Sequence, residues 1–122
     1  MTDNAQKDSL SAGEYQVYDR EAFLGRVGKN EALAQKILLK FIDDVPKRME
    51  SIRGAIETQN RDEIRLQAHT IKGSSRNVGA DKLGHYAERL EKSSDSADFA
   101  LLGELLVDVQ TGFEELKGVV QK

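Results

Sequence analysis

Apolar residues recur at three- and four-residue spacing along most of this chain, and this periodicity constrains the fold more than any other feature. The clearest stripe is Phe99, Leu102, Leu105, Leu106, Val109, Phe113, Leu116 and Val120. Spacing of this kind is typical of an amphipathic helix that buries one face, and no strand-like alternation appears. A chain of 122 residues fits one domain. We therefore predict an all-α fold, an antiparallel up-and-down four-helix bundle with a short extra N-terminal helix.

The amino-terminal residues differ from the rest in being polar and aperiodic. Residues 1–17 are predicted to be a disordered tail or linker, and residues 18–122 the helical bundle. Asp19 is a good N-cap for the short first helix, which Gly28 should end.

The second helix is predicted to be long and begins after the N-cap Asn30. Its apolar stripe is Leu33, Ile37, Phe41, Val45, Met49, Ile52 and Ile56. Because the stripe keeps its phase across Pro46, one kinked helix is favoured over two, although proline inside a helix costs ~3 kcal/mol and a break there stays open.

The third helix carries the histidine that matters most. Asn60 and Glu63 resemble a capping box at its start, and Gly79 should end it. Its apolar stripe is Ile64, Ala68, Ile71, Ser75 and Val78. At ~100° per residue, His69 lies roughly 140° from the centre of that stripe, so its imidazole should face water.

The surroundings of His69 favour phosphate. Arg65, Lys72 and Arg76 are the only charged residues from Ile64 to Val78, which predicts a basic patch on a chain of net charge −3. Gly73, one turn after His69, costs on the order of 1 kcal/mol in a helix relative to alanine, and close approach of a partner would explain it.

A fourth helix is predicted from Asp81 to the polar turn at residues 92–95. It should pack through Leu83, Tyr86, Ala87 and Leu90. His85 lies opposite that stripe and is predicted to be a solvated surface residue.

Composition excludes several classes of protein. The chain has no cysteine, which rules out disulfides and thiolate chemistry, and two histidines alone make a weak case for a metal site, so none is expected. The acidic balance argues against a nucleic-acid binder. No apolar run reaches the ~20 residues of a membrane span, and no signal peptide is recognisable, so a cytoplasmic location is expected.

The sequence resembles the signature of histidine-containing phosphotransfer (HPt) domains. The motif residues are His69, Lys72, Gly73, Ser74 and Ser75, followed by Asn77, Val78, Gly79 and Ala80. Further matching positions are Phe41, Pro46, Leu83, Ala87, Leu90 and Glu91, so the likeness runs from about Tyr18 to Val120. It implies the bundle fold predicted above.

The resemblance also implies roles for individual residues. His69 would be the phospho-acceptor, Lys72 would stabilise the phosphoryl group, and Gly73 would give a partner access. Arg65, Leu66 and Arg76 would contribute to docking, with Leu66 as part of an apolar patch or as a boundary residue. Glu91 matches a position where relatives place a polar residue near the histidine, but its carboxylate would repel phosphate, which makes a direct role doubtful.

The implied function is to shuttle a phosphoryl group between aspartates of response-regulator receiver domains in a two-component phosphorelay. The segment from Gly25 to Asn30 resembles an ATP-binding loop only superficially, so the chain should not be a kinase. No cofactor is expected, because Mg²⁺ would come with the receiver. The alternative is a helical docking module that binds a receiver or kinase without carrying phosphate. A free-standing monomer and a domain of a hybrid sensor histidine kinase both fit the sequence.

Overall fold

Five helices account for most of the chain in the computed structural model, which describes residues 12–121. They are α1 (Arg20–Arg26), α2 (Glu31–Glu57), α3 (Arg61–Asn77), α4 (Asp81–Ser93) and α5 (Phe99–Val120), preceded by a 3₁₀ turn at Ala12–Glu14. No strand occurs among the described residues. The all-α prediction is confirmed.

Short polar side chains start four of the helices. The N-cap residues whose side-chain oxygens accept a hydrogen bond from a backbone N–H three residues on are Asp19, Asn30, Asn60 and Asp98. Each bond satisfies one of the donors that a helix leaves free at its first turn. Only half of the predicted capping box at α3 forms, because the Glu63 carboxylate accepts from Gln67 instead of returning to Asn60.

Helix α2 runs without interruption through Pro46, as the phase of its apolar stripe predicted. Proline removes one helical hydrogen bond, but Phe41 and Val45 just before it are almost wholly buried and hold the helix against the core. The predicted stripe is wrong at its first residue. Leu33 is 42% exposed and Leu38 is buried, because the packed face of α2 is rotated from the one that the spacing suggested.

The four long helices form the bundle. Helix α3 packs against α2 and α4, and α5 packs against α4 and α2, which closes the bundle around one apolar core. Helix α1 packs against α2 and contributes Phe23, which is fully buried. The largest fully buried side chains are Phe23, Phe113, Ile52, Ile64, Ile71, Leu83, Leu90, Leu102 and Leu116.

The segment before α1 lies against α4 over the residues that the structure describes. The ring of Tyr15 stacks on His85 with centroids 4.4 Å apart, and the N–H of Lys82 donates to the carbonyl of Gln16 at 2.9 Å. His85 is therefore half-buried, and the prediction of a solvated histidine is wrong. Of the predicted tail, residues 1–17, the part from residue 1 to residue 11 lies outside the described residues.

Gly79 joins the start of α1 to the turn between α3 and α4. Its φ of +81° is one that side-chain-bearing residues rarely adopt, and its carbonyl accepts from the N–H of Asp19 at 2.7 Å. A Cβ at this position would lie 2.4 Å from the carbonyl oxygen of Asp19. Only glycine fits this crossing of two backbones.

Gly79→Ala should lower the free energy of unfolding by about 1–3 kcal/mol, because it adds both backbone strain and a clash with the Asp19 backbone. Urea denaturation followed by circular dichroism would measure it. Gly54→Ala is the control, since a Cβ there meets nothing within 4 Å and alanine favours the helix. Equal stability of Gly79→Ala and wild type would contradict the crossing argument.

Candidate functional site

The rotation of α3 about its axis decides which residues reach solvent. Ile64, Ala68, Ile71 and Ser75 are all fully buried, as the stripe predicted. The opposite side of the helix therefore faces outward, and the side chain of His69 is 62% exposed. The imidazole is open to a partner.

Glu91 on α4 contacts two of the predicted site residues at once. Its Oε2 lies 2.8 Å from Nδ1 of His69, and its Oε1 lies 2.6 Å from Nζ of Lys72. The Glu91 and Lys72 side chains are each only 20% exposed, so this bridge forms a partly buried floor beneath the exposed ring. Contacts in which at least one group is ionised are stronger than hydrogen bonds between two neutral groups.

The carboxyl group of Glu91 is held in its ionised form. Partial burial raises its pKa, but the ion pair with Lys72 and the contact with His69 outweigh burial, so the net pKa lies below the ordinary value of 4.5. An ionised carboxylate can only accept hydrogen bonds. Nδ1 of a neutral His69 therefore carries the hydrogen, and Nε2 keeps its lone pair.

The predicted basic patch is electrostatically balanced rather than open. Arg65 pairs with Asp62 at 3.3 Å, and Arg76 pairs with Glu88 at 3.2 Å. Lys72 pairs with Glu91, so each of the three predicted cations has a carboxylate partner. The prediction of a basic patch is wrong as to net charge, because Asp62 on α3 and Glu88 and Glu91 on α4 all lie outside the segment from Ile64 to Val78 on which it rested.

Gly73 and Leu66 provide room and apolar surface beside the histidine. Both are exposed, Leu66 at 55%, and a Cβ at Gly73 would meet no atom within 4 Å. The exposure of Leu66 fits an apolar surface patch better than a boundary contact with a neighbouring helix.

The two serines of the motif do not form a nucleophilic site. Ser74 donates its hydroxyl to the Thr70 carbonyl at 3.0 Å. Ser75 is fully buried, and its hydroxyl has no hydrogen-bond partner among the described residues. Small size is therefore what the packed position of Ser75 requires.

Metal binding and membrane insertion are two further possibilities for residues 12–121. No group of three or more histidine, cysteine, aspartate or glutamate side chains there could hold a metal ion. No described helix is both long and apolar enough to cross a membrane.

Fold and site together define a class, the four-helix bundle that displays a histidine on the outer face of one helix. The Hpt domain family matches residues 36–118, which include all of the site residues described above. The chain belongs to this family, whose members act in histidine phosphotransfer within phosphorelays. A comparison with curated proteins gave no match.

Two solved structures are similar to this chain. Histidine-containing phosphotransfer protein B (HptB) from Pseudomonas aeruginosa PAO1 superposes with a TM-score of 0.77 at 23% identity, over 84% of this chain and 90% of that one. The HPT domain of a sensor hybrid histidine kinase from Shewanella gives a TM-score of 0.60 at 15% identity, over 87% and 97%. At these identities the two structures support the fold.

The lowered pKa of Glu91 determines how this residue contributes to the free energy of unfolding as the pH changes. Because the folded state lowers the pKa of this carboxyl, the stabilisation is present above the unfolded value of 4.5 and is lost as pH falls through the folded value. Glu91→Gln should cost about 1 kcal/mol at pH 7. The difference from wild type should shrink steadily below about pH 4.5.

Urea denaturation at pH 7, 5 and 3.5 would measure this difference. The control is Glu104→Gln, at an exposed position on α5. A difference between Glu91→Gln and wild type that is the same at pH 7 and pH 3.5 would show that the charge of Glu91 does not stabilise the fold.

Proposed function

We propose that this chain carries a phosphoryl group on Nε2 of His69 and shuttles it between aspartates of response-regulator receiver domains. One observation above all supports this proposal. The exposed ring of His69 is anchored through Nδ1 by Glu91, which leaves Nε2 as the nucleophilic nitrogen. A histidine nucleophile splits one transfer into two steps through a covalent intermediate.

Transfer to His69 needs an in-line approach and a cation near the phosphoryl oxygens. The lone pair of Nε2 would attack phosphorus of the receiver's acyl phosphate, and the aspartate carboxylate would leave. Lys72 is the proposed source of the cation. Because an ammonium group has three N–H donors, Lys72 can stay paired with Glu91 and offer an N–H to the phosphoryl group.

Docking would use the surface around the ring. Leu66 offers apolar contact, and Gly73 leaves space for the partner's active site to come within reach of Nε2. Arg65 and Arg76 are roughly half exposed, so each can contact a partner while its guanidinium stays paired. Cations that are already paired should help to orient the docked partner more than they add to its net attraction.

The partner would supply what this chain lacks for the reaction. We infer that the receiver brings Mg²⁺ and the phosphorylated aspartate, that this chain needs no cofactor of its own, and that it does not phosphorylate itself from ATP. The segment that superficially resembles an ATP-binding loop forms the end of α1 and the turn to α2, and Arg26 within it donates to the carbonyls of Arg76 and Asn77. It holds the end of α3 in place.

Mixing the protein with a receiver whose aspartate carries labelled phosphate should transfer label to wild type. The bond should be labile in acid and stable in alkali, as expected for phosphate on a histidine nitrogen. The amount of label transferred to His69→Gln should be at least about 10³-fold lower than to wild type, since no other nucleophile is held in that place. His85→Gln is the matched control and should retain it.

Two results would contradict the proposal. Label on His69→Gln would place the acceptor elsewhere. Absence of label across a broad panel of receivers, with binding retained, would favour the docking module that does not carry phosphate.

Gly73→Leu should slow transfer about 10²-fold or more, because a side chain beside the ring keeps the partner's phosphorus from the in-line position. The variant should be at least as stable as wild type, since its Cβ meets nothing and leucine favours a helix. Gly118→Leu, also open and exposed but on α5, is the control. A wild-type transfer rate in Gly73→Leu would show that this glycine is not needed for partner access.

A further inference from the structure

We propose that Glu91 keeps the proton on Nδ1 of His69 throughout the transfer cycle, so that neither uptake nor donation of the phosphoryl group exchanges a proton with solvent. This inference rests on the proposed function of His69. It makes Glu91 a positioning residue that acts through the imidazole and does not itself touch the transferred group.

The electron balance of donation shows why the proton matters. A carboxylate oxygen of the receiving aspartate forms a bond to phosphorus, the bond between Nε2 and phosphorus breaks, and its electron pair returns to Nε2. If Nδ1 still carries its proton, the leaving group is neutral imidazole. If Nδ1 has lost it, the leaving group is the imidazolate anion, a far stronger base that departs much more slowly.

The geometry suits Glu91 to this task. In the unphosphorylated protein Nδ1 lies 2.8 Å from Oε2 of Glu91. Phosphorylation at Nε2 would make a ring that keeps its Nδ1 proton cationic, with this carboxylate beside it. The carboxylate is largely shielded, at 20% exposure, and therefore interacts with the ring charge more strongly than a solvated one would. Lys72 occupies the other oxygen, which orients the carboxylate toward Nδ1.

The other charged side chains that surround this site each lie in an ion pair. On α3 they are Asp62, Arg65, Lys72 and Arg76, on α4 they are Glu88 and Lys92 beside Glu91, and on α2 they are Asp44 and Arg48, the latter bonded to Gln67. Asp62 pairs with Arg65, Glu88 with Arg76, and Asp44 with Arg48. Glu91 is the carboxylate in direct contact with Nδ1.

The test is the titration of the phosphorylated ring. Protein carrying His85→Gln, so that His69 is its only histidine, is phosphorylated chemically with phosphoramidate and followed by ³¹P NMR from pH 5 to 10. Glu91→Gln retains a carbonyl oxygen to accept from Nδ1 but removes the charge. Glu88→Gln, three residues earlier on α4 and bonded to Arg76, is the matched control.

The midpoint of the phosphohistidine titration should fall by at least about one pH unit in Glu91→Gln and stay unchanged in Glu88→Gln. Superimposed titrations of Glu91→Gln and the parent would overturn the proposal. Chemical phosphorylation does not use a receiver, so this result is independent of whether receivers donate to His69.

A second readout is the rate of donation to one unphosphorylated receiver. Taken relative to the parent at each pH, the rate for Glu91→Gln should fall up to about tenfold per pH unit between its lowered midpoint and the midpoint of the parent. The ratio cancels the receiver's own pH dependence. A ratio that is constant from pH 6 to 9 would overturn the proposal, because a merely structural role would lower the rate equally at every pH.

Discussion

Burial of one face of α3 between α2 and α4 is the constraint on which the site depends. Ile64 and Ile71 are fully buried, and each contributes roughly 1.5–3 kcal/mol to keeping that face inward. An ion pair exposed on one side contributes only about 0–1 kcal/mol. Packing therefore sets the rotation of the helix, and the contacts of His69 and Lys72 with Glu91 follow from it.

The site works by placement more than by net charge. The three cations of the predicted patch, Arg65, Lys72 and Arg76, are matched by carboxylates on α3 and α4, so the surface near His69 does not attract anions strongly from a distance. What it offers is a ring held in one orientation with an accessible nitrogen. Such preorganisation lowers the free energy needed to reach the geometry of transfer, and it does so without giving the surface a high affinity for phosphate in general.

Helix positions, helix ends and the outward direction of His69 could be predicted from the sequence, because each depends on neighbours within a few residues. Asp19, Asn30 and Asn60 cap their helices as expected. The exposure of Leu33 could not be predicted, since the packed face of α2 depends on the helices around it.

Side-chain contacts between different helices also could not be predicted from the sequence. Glu91 is 22 residues from His69 in sequence, and charge alone suggested that it would repel phosphate. Its role depends on the distance and direction of its two oxygens, which only the packing of α4 on α3 defines. The same holds for His85, whose partner Tyr15 lies in a segment without helical periodicity.

The proposed role of Gly73 in partner access sets stability and function in opposition at one position. Most larger residues there would strengthen α3, so selection for a well-folded, abundant protein alone would replace the glycine. Under the access role proposed for Gly73, retaining it means accepting a weaker helix in exchange for contact with a partner. In a survey of all substitutions, this position should separate cellular abundance from signalling output more cleanly than any buried residue, where the two fall together.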